Sequence, residues 1–141
     1  MTARRSARCG SVSRHAVGCQ LTECTVDGDP LLVERIVANL VDNAVLHGLD
    51  SEPITIRLRS EGEFAELSLT NTCLPLPAGS EQALLEPFRR GRTDRTGSSG
   101  GSGLGLAIVT AAAAGHGWSF RLDLSEPGTF VAILRVPVTA P

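Results

Sequence analysis

The sequence has no stretch of about 18 consecutive apolar residues, so no segment reads as a helix that spans a bilayer. It has no CxxC pair. Its four cysteines are Cys9, Cys19, Cys24 and Cys73, and His15 does not stand at zinc-finger spacing from any of them. That pattern argues against a zinc site and predicts free thiols in a reducing cytoplasm. There is no strong charge of either sign: the formal net charge is −2, which argues neither for nor against a nucleic-acid partner, and none is expected. Arg4, Arg5, Arg8 and Arg14 crowd the N-terminus without an apolar run behind them, which excludes a secretory signal. No segment repeats. What remains is a chain of 141 residues, 42% hydrophobic, enough for the core of one domain.

One stretch organises that domain. Residues Asp29–Gly48 read DPLLVERIVANLVDNAVLHG. Leu32, Val33, Ile36, Val37, Leu40, Val41, Ala44 and Val45 recur at the three- and four-residue intervals of a core-facing helix. Asp29 is a good N-cap, Pro30 suits the first helical position, and Gly48 can stop the helix in a left-handed conformation. Asn39 and Asn43 lie one turn apart on one face. Two amides beside an apolar stripe need hydrogen-bond partners, from the backbone or from a ligand.

A second stretch, Gly97–Val109, reads GSSGGSGLGLAIV, five glycines followed by an apolar run. Glycines let backbone N–H groups approach an anion, and a helix N-terminus attracts one. No GK[ST] follows the glycines, so this is not a Walker A loop. A long polar loop precedes them instead of a strand, so it is not a dinucleotide fingerprint either. On composition alone a flexible linker stays open as the alternative.

The remaining pattern is strand-like. Ile54–Arg59 and Phe64–Thr70 alternate as a hairpin, and Trp118–Leu124 and Thr129–Val136 alternate again around a Ser125–Gly128 turn. Gln20–Asp27 has room for a short strand, Ser80–Leu85 for a helical turn, and Leu104–Ala114 for a helix. Residues 88–103 form a long polar loop with Arg89, Arg90, Arg92 and Arg95. Residues 1–20 carry little pattern and read as a basic, disordered leader, leaving 21–141 as the domain. This order predicts a two-layer α/β sandwich, a mixed sheet with its helices on one face.

Together the motifs resemble the ATP-binding domain of bacterial sensor histidine kinases. NLVDNAVLHG resembles that family's N box, GSGLGLAIV its second glycine box, and Glu86-Pro87-Phe88 its F box. The resemblance runs from about Asp27 to Pro137 and implies the Bergerat fold of gyrase-type ATPases, with residues 88–103 as a mobile lid over ATP. It implies Asn43 as the Mg²⁺ ligand and Asn39 at the position where gyrase-type ATPases carry a catalytic glutamate. It implies Asn71 on the adenine amine, and His47 beside the nucleotide. Gly101, Gly103, Leu104 and Gly105 fall at the triphosphate, with Arg95 bridging to it from the lid. Phe88 is then a packing residue of the lid.

The sequence departs from the family pattern at named places. Asn71, Cys73 and Pro75 stand where the first glycine box has an aspartate and two glycines, and Leu46 stands where a Lys or Arg often meets phosphate. If Cys73 has to adopt a positive φ, that costs about 1–2 kcal/mol. No heptad-patterned hairpin bearing a phospho-accepting histidine is present, and His15 has no acidic neighbour. The chain is therefore expected to be a stand-alone catalytic domain or part of a longer kinase, passing the γ-phosphate to a histidine on a partner protein. Two alternatives stay open: a non-catalytic regulatory module of the same fold, and a stand-alone serine kinase of the anti-sigma type.

Overall fold

A computed structural model describes residues 5–12, 15–77, 79–86 and 105–139, with the backbone alone for 5–9, 11 and 12. The elements in chain order are β1 (Arg5–Val12), β2 (His15–Leu21), α1 (Pro30–His47), β3 (Ile54–Glu61) and β4 (Phe64–Thr72). They continue with α2 (Ser80–Leu84), α3 (Gly105–Gly115), β5 (Ser119–Asp123) and β6 (Thr129–Pro137). The expected lid lies outside the described residues.

The strands form one six-stranded mixed sheet in the order β1-β2-β3-β4-β6-β5. β2 and β3 are parallel and every other pair is antiparallel. A parallel pair needs a crossover, and α1 supplies it. The antiparallel pair β3–β4 closes through a tight turn, with Glu61 opposite Phe64 and Gly62 at φ 59°.

Side-chain alternation sorts the sheet into two faces. Cross-strand partners carry Cys19, Ile56, Leu69, Ala132 and Leu122 in one row, and Leu21, Leu58, Leu67, Leu134 and Phe120 in the next. This face meets Ile36, Leu40 and Ala44 of α1 and Leu106, Val109 and Ala113 of α3 in one core. Ile36, Leu40, Ile54, Leu69 and Val109 are its largest fully buried side chains. Each contributes about 1.5–3 kcal/mol by leaving water. The other face carries charge: Glu66 lies between Arg59 (3.9 Å) and Arg135 (3.8 Å), and Arg135 also sits over the Phe64 ring at 4.7 Å. The expected two-layer sandwich is what forms.

Three expectations need correction. Residues 1–20 were read as a patternless leader, yet Arg5–Val12 and His15–Leu21 are paired strands at the sheet edge. β2 does alternate, with His15, Val17 and Cys19 buried, but Val17 is the one β-branched residue on that face and His15 reads as polar. The strand sought in 20–27 shrinks to a single bridge between Val26 and Val138, because β2 has already ended at Leu21. Cys19 is disulfide-bonded rather than a free thiol, since spacing along a chain does not reveal which cysteines a fold brings together. Cys24 and Cys73 are free, and burial raises both thiols above their ordinary value.

Helix α1 begins as its sequence requires: the Asp29 side chain accepts from the Leu31 N–H at 2.9 Å, and Pro30 follows. It ends differently. Gly48 is extended, at φ −71° and ψ 151°, and not left-handed. Its N–H bonds the Ala44 carbonyl at 2.8 Å, and a Cβ on Gly48 would stand 2.5 Å from that same oxygen. Glycine is needed here for close approach, not for its sign of φ. Gly48→Ala is therefore expected to destabilise by about 1–3 kcal/mol, read from urea unfolding. A loss below a few tenths of a kcal/mol would show that the helix end yields freely.

Candidate functional site

The stripe that seats α1 on the sheet also places its two asparagines. Ile36, Leu40 and Ala44 are buried, and steps of about 100° per residue put Asn39 and Asn43 together on one flank of that stripe. Both are half-buried. Among the described residues neither carboxamide makes a hydrogen bond, so the backbone-bonded alternative is not what forms. His47 lies one turn beyond Asn43, exposed in the last turn of α1.

Across from the end of α1 stands Asn71, near the end of β4 and 3% exposed. Its Nδ2 donates to the Thr72 carbonyl at 3.3 Å. Its Oδ1 is buried and has no partner among the described residues. A buried acceptor left without a partner costs about 1–3 kcal/mol of desolvation. The neighbouring Cys73 is 7% exposed. Ser51 is the single non-glycine residue with a positive φ among those described, so Cys73 occupies its glycine-like position without left-handed strain.

Gly48 is the point where these parts meet. A Cβ built there would lie 3.5 Å from Asn71 Nδ2 and 3.4 Å from His15 Cε1. His15, 3% exposed, donates from Nδ1 to the Glu52 carbonyl at 2.8 Å. Sequence reasoning missed this residue as part of the site, and no local pattern marks it. It set His15 aside as an acceptor of phosphate, and burial agrees with that.

Gly105 opens α3, and a Cβ there would meet nothing within 4 Å, so the space beside it is unfilled by the described protein. Phe88, Arg95, Gly101, Gly103 and Leu104 lie outside the described residues. Leu46 is 39% exposed and puts no cation near the asparagines. No group of three metal-ligating side chains occurs among the described residues. His116, read as structural, bonds the Ala112 carbonyl through Nδ1 at 2.9 Å and stacks obliquely on Trp118. A shallow depression lined by Gln20, Thr22, Arg57, Leu58 and Arg59 lies on the β2–β3 side of the sheet and includes none of the site residues.

Comparison with known proteins places this arrangement. The family described as histidine kinase-, DNA gyrase B- and HSP90-like ATPase matches residues 28–140. The sensor protein CutS of Streptomyces coelicolor is 40% identical over 114 residues, covering 80% of this chain and 28% of that protein. The sensor-like histidine kinase SenX3 of Mycolicibacterium smegmatis is 33% identical over 129 residues, covering 84% of this chain and 33% of that one. The chain thus spans a third or less of the length of these curated relatives. Among solved structures, the ATP-binding domain of PrrB from Mycobacterium tuberculosis superposes with a TM-score of 0.69 at 25% identity, over 92% of this chain and 84% of that one. The mycobacterial sensor histidine kinase MprB gives 0.68 at 27%, over 89% and 81%.

The orphaned oxygen of Asn71 makes a direct expectation about stability. Replacing a poorly bonded buried amide by an apolar group of similar shape is close to neutral. Asn71→Leu should leave the unfolding free energy within about 1 kcal/mol of the wild type. A loss of about 3 kcal/mol in urea unfolding would show that the carboxamide is fully bonded in the folded protein.

Proposed function

The chain belongs to the family of histidine kinase-, DNA gyrase B- and HSP90-like ATPases, and from that membership we propose that it binds Mg-ATP at the end of α1. The γ-phosphate then passes to a histidine on a partner chain, in two-component signalling. The observation that carries the reading is the buried Oδ1 of Asn71, which has no partner among the described residues, together with the two carboxamides on α1, Asn39 and Asn43, that make no hydrogen bond among those residues. The exocyclic amine of adenine is a donor of the kind that oxygen lacks.

The residues divide the nucleotide between them. Asn71 takes the base, and His47 lies at the same end of α1. Asn43 offers a carboxamide oxygen, a hard donor suited to Mg²⁺, whose other ligands would be phosphate oxygens and water. The ion supplies charge neutralisation on the phosphates. Asn39 is an amide and cannot deprotonate water. That favours transfer over hydrolysis, with positioning doing most of the catalysis. Gly105 leaves room for phosphate at the start of α3. Arg95, Gly101, Gly103 and Leu104 are assigned to the triphosphate from their motif alone.

The proposed acceptor is an exposed histidine, and His15, 3% exposed, is not suited to that role. No helix among the described residues is long and apolar enough to cross a membrane. We place the domain in the cytoplasm, where ATP is found. A reducing compartment would hold Cys19 as a thiol. The departures at Leu46 and Asn71 favour one rival, a regulatory module of the same fold that binds partners without catalysis.

Thermal unfolding with and without ATP and Mg²⁺ separates the two. A ligand at one hundred times its dissociation constant stabilises by about 2.7 kcal/mol, and the shift should require magnesium. Asn43→Ala should keep the fold and lose the magnesium-dependent part. No shift at millimolar ATP contradicts the kinase reading and selects the regulatory one.

A further inference from the structure

We infer that His15 is a positioning residue for the base end of the nucleotide site, acting on Asn71 through the α1–β3 turn; this rests on the nucleotide-binding reading above. The connection is a chain of hydrogen bonds. His15 Nδ1–H donates to the Glu52 carbonyl at 2.8 Å. The Glu52 N–H donates to the Leu49 carbonyl at 3.2 Å, and the Leu49 N–H donates to the Thr72 carbonyl at 2.9 Å. That same Thr72 carbonyl receives Asn71 Nδ2 at 3.3 Å. One end of the relay is a histidine on β2 and the other is the amide whose Oδ1 has no partner among the described residues.

The relay fixes which way Asn71 faces. A carboxamide can present either its oxygen or its NH₂. With Nδ2 committed to the Thr72 carbonyl, Oδ1 is the group left for a base. The site then selects a base with a donor at that edge, an amine, over one with a carbonyl there.

The relay is tight enough to need an anchor. The turn it crosses contains Ser51 at φ 67°, a conformation that persists in a non-glycine residue only where its surroundings over-determine it. Those surroundings are Thr72 on one side and His15 on the other. His15 is 3% exposed, and its Cε1 and Asn71 Nδ2 lie against the same face of Gly48. Removing the Nδ1 donor loosens the turn, weakens the hold on the Thr72 carbonyl and lets the Asn71 amide rotate.

The test is the preference for ADP over IDP, which replaces the adenine amine by a carbonyl. Affinities for both are measured with Mg²⁺ on the full chain, in the wild type, His15→Leu and His15→Asn. Asparagine keeps a donor close to the Nδ1 position, and leucine fills the space without one. The wild type should prefer ADP by about tenfold, the worth of one well-placed hydrogen bond. His15→Leu should bring the ratio near parity, and His15→Asn should restore it. If both affinities fall in His15→Leu with the ratio intact, His15 is merely structural and the inference is overturned. If the wild type binds neither nucleotide, the nucleotide-binding reading fails and takes this one with it. Should His15→Leu not fold, the imidazole nitrogen resonances of wild-type His15 decide. They should move on adding ADP and stay with tripolyphosphate; unmoved resonances with ADP overturn the inference.

Discussion

The close approach of Gly48 to the Ala44 carbonyl is the constraint on which the site depends. It ends α1 without a left-handed residue and turns the chain sharply toward β3. The helix end, β2 and β4 then meet at one point, where a Cβ would crowd the Ala44 carbonyl. His15 and Asn71 fill the space around it. Upstream of that point α1 is an ordinary core helix, seated by Ile36, Leu40 and Ala44. Its flank is not ordinary. Among the described residues the carboxamides of Asn39 and Asn43 make no hydrogen bond.

The two faces of the sheet have divided tasks. The covered face joins the strands to α1 and α3 in a continuous core, which fixes α1 rigidly against β4. A rigid first layer suits phosphoryl transfer, where the protein contributes placement and charge neutralisation more than covalent chemistry. The uncovered face is stabilised by exposed ion pairs around Glu66, each worth little. On the proposed reading Asn39 biases the site against hydrolysis, because an amide does not activate water as an acid's carboxylate does.

Much of this was legible in the sequence because it is local. Asp29, Pro30 and Gly48 marked both ends of α1, and alternation marked β3, β4, β5 and β6 close to their observed bounds. Asn39, Asn43 and Asn71 stand out by motif, and among the described residues the Oδ1 of Asn71 is buried without a hydrogen-bond partner. What escaped is tertiary. β2 hides its inward face behind His15 and Cys19. The bonded state of Cys19 is not written in cysteine spacing, and the role of glycine at position 48 depends on a carbonyl four residues back. Cys73 shows the reverse: its departure from glycine suggested strain, and the backbone shows none. The relay from His15 to Asn71 joins residues from β2, the α1–β3 turn and β4, and no window of sequence contains all of them.

The central claim is that the buried oxygen of Asn71 is an acceptor kept for a nucleotide base. The most direct measurement follows the side-chain amide of Asn71 by NMR while ADP and Mg²⁺ are added. The Asn71 Cγ and Nδ2 resonances should shift in step with occupancy, because Oδ1 gains a hydrogen bond while Nδ2 keeps Thr72. Binding seen elsewhere in the spectrum with the Asn71 side chain unmoved would contradict the account.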